Sequence, residues 1–131
     1  MSEKVILCID DEKIVLDSLK AQLNEVFRDE FLLEFAESAD EGLEVLEEVI
    51  EDGAKVLLVV SDWLMPGMRG DEFLIQVHKK YPHIIKMLLT GQADDDAVIR
   101  AKEEANLYAL LQKPWDKNKL IRSITEALDQ L

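Results

Sequence analysis

Two rhythms of apolar and polar residues alternate along this chain. Val5-Ile6-Leu7-Cys8-Ile9 and Val56-Leu57-Leu58-Val59-Val60 are short runs without polar interruption. Both read as strands, and the second, the stronger, suits a strand covered on both sides in a parallel sheet. Longer segments carry apolar residues at three- and four-residue steps, the mark of helices with one buried face. The first of these holds Ile14, Val15, Leu19, Leu23, Val26 and Phe27. Residues 31–36 read as a second strand. Ser38 and Glu41 form a capping box, Leu43, Leu46, Val49 and Ile50 give the next helix its stripe, and Gly53 suits its end. The turn-rich stretch Met65-Pro66-Gly67-Met68-Arg69-Gly70 leads into a helix marked by Phe73, Leu74, Val77 and Tyr81, which stops before Pro82. A fourth strand over 84–89, a weakly apolar helix over 94–105 and a fifth strand over 108–111 follow. The last helix starts near Asn118 and carries Leu120, Ile124, Ala127, Leu128 and Leu131.

Strand and helix thus alternate five times. That order predicts an α/β fold, a doubly wound five-stranded parallel sheet with right-handed crossovers and helices on both faces. No linker, repeat or low-complexity stretch divides it, so residues 1–131 are expected to form one domain. Hydrophobic residues are 48% of the 131 and charged residues 33%, an ordinary globular balance. The net charge of −13 repels nucleic acid and anionic membranes, so neither is expected as a direct partner. The single cysteine, Cys8, lies within an apolar run and reads as a small core residue. The N-terminal apolar stretch is too short for a signal peptide core or a membrane span, and a cytoplasmic protein is expected.

In such folds the residues that do chemistry gather beyond the carboxyl ends of the strands. Strand one runs into Asp10-Asp11-Glu12, strand three into Asp62, strand four into Thr90 and strand five into Lys113-Pro114. Packed carboxylates repel one another, and a hard divalent cation relieves them; oxygen ligands favour magnesium or calcium over zinc. A lysine and a hydroxyl add donors for phosphoryl oxygens, and a carboxylate can itself be the nucleophile. Taken singly the same residues have plainer readings. Asp10-Asp11 could cap a helix, Thr90-Gly91 could be a strand end, and Lys113 a solvated side chain. His78 and His83 read as surface residues, the Asp94-Asp95-Asp96 run as a helix start, and Trp63 and Trp115 as half-buried packing near the site.

Together, Val5 to Glu12, Val59-Val60-Ser61-Asp62-Trp63-Leu64-Met65-Pro66-Gly67, Leu89-Thr90-Gly91 and Lys113-Pro114-Trp115 resemble the signature blocks of the response-regulator receiver family, in order and spacing, over nearly the whole chain. The resemblance implies a flavodoxin-like sheet of order 2-1-3-4-5. It implies that Asp62 accepts a phosphoryl group from a sensor histidine kinase or a histidine phosphotransfer protein. Asp11, Asp62 and the backbone carbonyl of Leu64 would ligate Mg²⁺, with Asp10 acting through water. Lys113 would pair with the phosphoryl oxygens, Thr90 would turn its hydroxyl to them, and the Lys113–Pro114 peptide would be cis. The family's output surface falls here on residues 94–131, which would meet an output domain, a partner or a second copy. Leu64 and Gln92 stand where the family tunes the lifetime of the phosphoryl group. One departure is Leu110, where the family often has Tyr or Phe as a rotating switch. Tyr108 would share a strand face with it; either Tyr108 or Trp115 reports activation instead, or the protein has no aromatic switch. The run Lys113 to Asp116 also resembles receivers joined to cyclic-dinucleotide phosphohydrolases.

Rival readings fit less well. A phosphatase of the haloacid dehalogenase type wants an acid where Leu64 stands. A flavodoxin wants a phosphate-cradling first loop where Asp10-Asp11-Glu12 would repel one. A pseudo-receiver that only binds partners would not need the complete acidic set.

Overall fold

The computed structural model describes residues 3–91 and 95–131. Its elements follow one another as β1 (Lys4–Ile9), α1 (Lys13–Phe27), β2 (Leu32–Ala36), α2 (Ala39–Glu51), β3 (Lys55–Asp62), α3 (Gly70–Lys80), β4 (Ile85–Thr90), α4 (Asp95–Glu104), β5 (Ala109–Gln112) and α5 (Lys117–Asp129). All strand pairs are parallel, in the order β2-β1-β3-β4-β5. This is the five-stranded doubly wound sheet that the alternation predicts.

The uninterrupted apolar runs are explained by the layers. Val5, Leu7 and Ile9 of β1 pack with Leu46 of α2 and Phe73, Leu74 and Val77 of α3. Ile6 and Cys8 point the other way, onto Leu16, Leu19 and Leu23 of α1 and Leu120 and Ile124 of α5. Each residue from Val5 to Ile9 is therefore buried whichever way it points, and removing that apolar area from water is the main stabilising contribution.

Local signals are met with small shifts. The Ser38 Oγ accepts a hydrogen bond from Glu41 N at 3.1 Å and caps α2. The Glu41 carboxylate accepts from Glu37 N at 3.3 Å, one residue before the cap. Gly53 takes the left-handed φ of +92° that ends this helix. β3 continues two residues past its apolar run, because Ser61 and Asp62 still pair with Ile9 and Leu89 through the backbone. β5 begins one residue later than expected. Tyr108 therefore falls outside the strand's alternation: it packs against the α1–α5 layer, where its hydroxyl accepts from Gln130 Nε2 at 3.3 Å. Leu110 instead lines a groove beside α4, so the two side chains do not share one environment. Gln92, and Asp94 at the expected start of the fourth helix, lie outside the described residues.

Candidate functional site

Sheet register assembles the site. Ile9 pairs with Ser61, so the next residue on each strand, Asp10 and Asp62, emerges at the same edge. Asp62 pairs with Leu89, which places Thr90 beside it, and Thr90 pairs with Gln112, which precedes Lys113. A further backbone bond from Lys113 N to the Thr90 carbonyl, 2.9 Å long, ties the last two ends together. The Lys113–Pro114 peptide is cis, as the resemblance implies.

The side chains converge accordingly. Carboxylate oxygens of Asp10, Asp11 and Asp62 all lie within 4.8 Å of one another. Asp10 is fully buried, Asp62 nearly so, and Asp11 is exposed. The Lys113 Nζ sits between two of them, 2.6 Å from Asp10 Oδ2 and 3.0 Å from Asp62 Oδ1. Asp10 Oδ1 also accepts from Glu12 N at 2.9 Å, but Glu12 is the N-cap of α1 and no side chain caps that helix, so neither Asp10 nor Asp11 acts as its cap. Thr90 is buried at the end of β4 and borders the groove next to α4. Leu64 is 65% exposed, so its side chain lies open to solvent.

Electrostatics follow from this packing. Burial, opposed by the hydrogen bond from Lys113 and reinforced by the charges of Asp10 and Asp11, pushes Asp62 up from 3.8 to about 6. Burial pulls Lys113 down, but its bonds to Asp10 and Asp62 and their charges outweigh that, and its pKa ends raised. The lysine is a fixed cation. A crowded carboxylate set with one member pushed upward is a set that a hard cation would relieve, and all-oxygen donors fit Mg²⁺ or Ca²⁺. The residues present therefore fit a divalent cation.

A model of the response regulator receiver domain matches residues 6–125. The chain belongs to the response-regulator receiver family. This receiver domain is 32% identical, over 98% of its length, to the hydrogenase transcriptional regulatory protein HoxA of Cupriavidus necator, and spans 25% of that protein. Among solved structures it resembles the signal receiver domain of an HD domain-containing protein from Pseudomonas fluorescens, with a TM-score of 0.87 and 30% identity over 98% of this chain and 96% of that one. A CheY-like response regulator receiver domain protein from Methanospirillum hungatei gives a TM-score of 0.84 and 32% identity over 98% of this chain and 96% of the other. No helix among the described residues is long and apolar enough to cross a membrane.

Sequence reasoning missed three residues of the receiver. Asp71, in the first turn of α3, is fully buried and accepts from the Trp63 indole at 3.0 Å and from Arg100 Nη2 at 2.8 Å. Lys86, within β4, is 1% exposed and hydrogen-bonds His78 Nδ1 at 2.8 Å. The reading of His78 as a plain surface residue is thereby corrected: it caps a buried lysine, whereas His83 is exposed. A signal existed for two of them. Asp71 stands three residues before Leu74 on a helix stripe, and Lys86 interrupts an otherwise apolar strand.

Proposed function

We propose that this receiver takes a phosphoryl group on Asp62, from a phosphohistidine of a sensor histidine kinase or phosphotransfer protein, in a Mg²⁺-dependent reaction. The observation that carries the reading is the Lys113 ammonium held between Asp10 and Asp62 inside a three-carboxylate cluster. Asp62 supplies the attacking carboxylate oxygen. An O–P bond forms as the donor's P–N bond breaks, and the released imidazole keeps the electron pair and takes up a proton. Lys113 is placed to leave Asp62 for the incoming phosphoryl oxygens. Thr90 is the hydroxyl nearest in register to meet them. The bound cation, held by Asp11, Asp62 and the Leu64 carbonyl with Asp10 behind, would offset the negative charge that gathers during transfer.

The surface that reads this event is assigned to α4, β5 and α5. A groove of about 470 Å³ lies there between Thr90 and Leu110, lined also by Val98 and Ile99. One of its walls is thus the residue expected to meet the phosphoryl group.

Intact-mass measurement after incubation with acetyl phosphate and Mg²⁺ tests the reading. One added phosphoryl group on the wild type, none on Asp62→Asn, and none after chelation is the expected result. If the wild type gains no mass and beryllium fluoride leaves its tryptophan fluorescence unchanged, the domain acts only as a protein-interaction module.

A further inference from the structure

The segment that follows the acceptor is held by an ionic cluster around the buried Asp71 carboxylate, with no part in the chemistry above. Trp63 comes directly after Asp62, and its indole N–H donates to Asp71 Oδ1. Arg69, at the far end of the same loop, places its Nε 3.4 Å from Asp71 Oδ1 and stacks its guanidinium 5.9 Å over the Trp63 ring. Arg100 comes from another element: its Nη2 donates to Asp71 Oδ2 at 2.8 Å from the middle of α4. One carboxylate therefore joins both ends of the 63–69 loop to α4. The loop has little slack, since Gly70 N donates to the Trp63 carbonyl at 2.7 Å.

We propose that Asp71 and Arg100 are positioning residues that couple the occupancy of the Asp62 site to the placement of α4. The inference rests on the phospho-acceptor reading of that site. Asp71 is fully buried, so losing Arg100 leaves its charge paired only by Arg69 and the Trp63 indole, at a cost in free energy. The pair is made or broken, with little between. Movement of Trp63 and Leu64 as the site fills pulls on the carboxylate that holds α4, and displacing α4 loosens the loop in turn. Here the β5 position expected to hold a rotating aromatic is Leu110, and Tyr108 faces α5. The ionic tie gives α4 a connection to the acceptor that needs no ring rotation.

Hydrogen exchange of α4 peptides, with and without Mg²⁺ and beryllium fluoride, is the test in wild type, Arg100→Met and Arg100→Lys. Tryptophan fluorescence titration of the same proteins gives the beryllium fluoride affinity, and urea unfolding confirms that each is folded. In the wild type, ligand changes α4 exchange. In Arg100→Met that ligand-dependent change falls at least about threefold, and the affinity moves by a similar factor, because coupling is reciprocal. Arg100→Lys recovers part of both. A purely structural pair would shift α4 exchange equally with and without ligand; an unaltered ligand-dependent difference in Arg100→Met overturns the inference. A wild type that does not respond to Mg²⁺ and beryllium fluoride at all sinks the acceptor reading, and this one with it.

Discussion

Buried polar groups are where single residues matter most in this receiver. Lys86 is 1% exposed, and burial draws its pKa down to about 8 from 10.5. Between those values the unfolded chain binds the proton more tightly than the fold does, so this residue makes stability rise as pH climbs from about 8 to 10.5. Near neutral pH the cost of the buried charge is present in full. Lys86→Met should therefore raise stability by about 1–2 kcal/mol at pH 7, after allowing for the lost bonds to His78 and the Pro82 carbonyl, and should flatten the alkaline rise. An unchanged or lower urea midpoint would contradict this. Cys8 is wholly buried and its thiol is pushed up to about 12 by burial alone. It should react with a thiol reagent only at the rate of unfolding, which mass spectrometry across a urea series would show. The apolar environment of Cys8 was legible from its neighbours. The partners of Lys86 and Asp71 were not, because His78 and Arg100 sit on neighbouring elements and residue spacing says nothing of which elements pack together.

Whole elements were legible to the extent that one face needed water excluded. The two-sided apolar runs of β1 and β3 and the stripes of α1, α2, α3 and α5 all follow from that requirement. β3 overran its expected end because backbone pairing continues under polar side chains. Tyr108 was misplaced because period-two alternation applies only inside a strand. How closely elements approach was not legible either. α3 lies against the backbone of Asp62: a Cβ on Gly70 would sit 1.9 Å from the Asp62 carbonyl oxygen. Gly70→Ala must displace α3 or β3, and it should cost at least about 2 kcal/mol and cut phosphoryl uptake as well. At Gly91 the nearest contact for such an atom is 3.8 Å, so Gly91→Ala should leave the folding midpoint nearly unchanged. Matched denaturation curves and intact-mass assays compare the two; equal tolerance would mean that the close packing of α3 is not required.

At the scale of the molecule, five strand ends meet at one edge, and four were readable in advance as carriers of chemistry. Their register, and the lysine's double attachment, came only from the folded sheet. That attachment has a consequence in electroneutrality. Three carboxylates and one ammonium leave the edge two formal charges short of balance, within a chain of net charge −13. A divalent ion closes that deficit and a monovalent ion does not. Lys113→Met would open it by one more charge, and the two halves of the site's work should then part company. Mg²⁺ binding, followed by titration calorimetry, should tighten, while phosphoryl uptake falls by at least about tenfold for want of a cation to receive the dianion. Weaker Mg²⁺ binding in that variant would show that Lys113 arranges the carboxylates more than it competes for them. On this view the lysine is a placeholder: it offsets one of the three carboxylate charges until a stronger cation and a phosphoryl group take over.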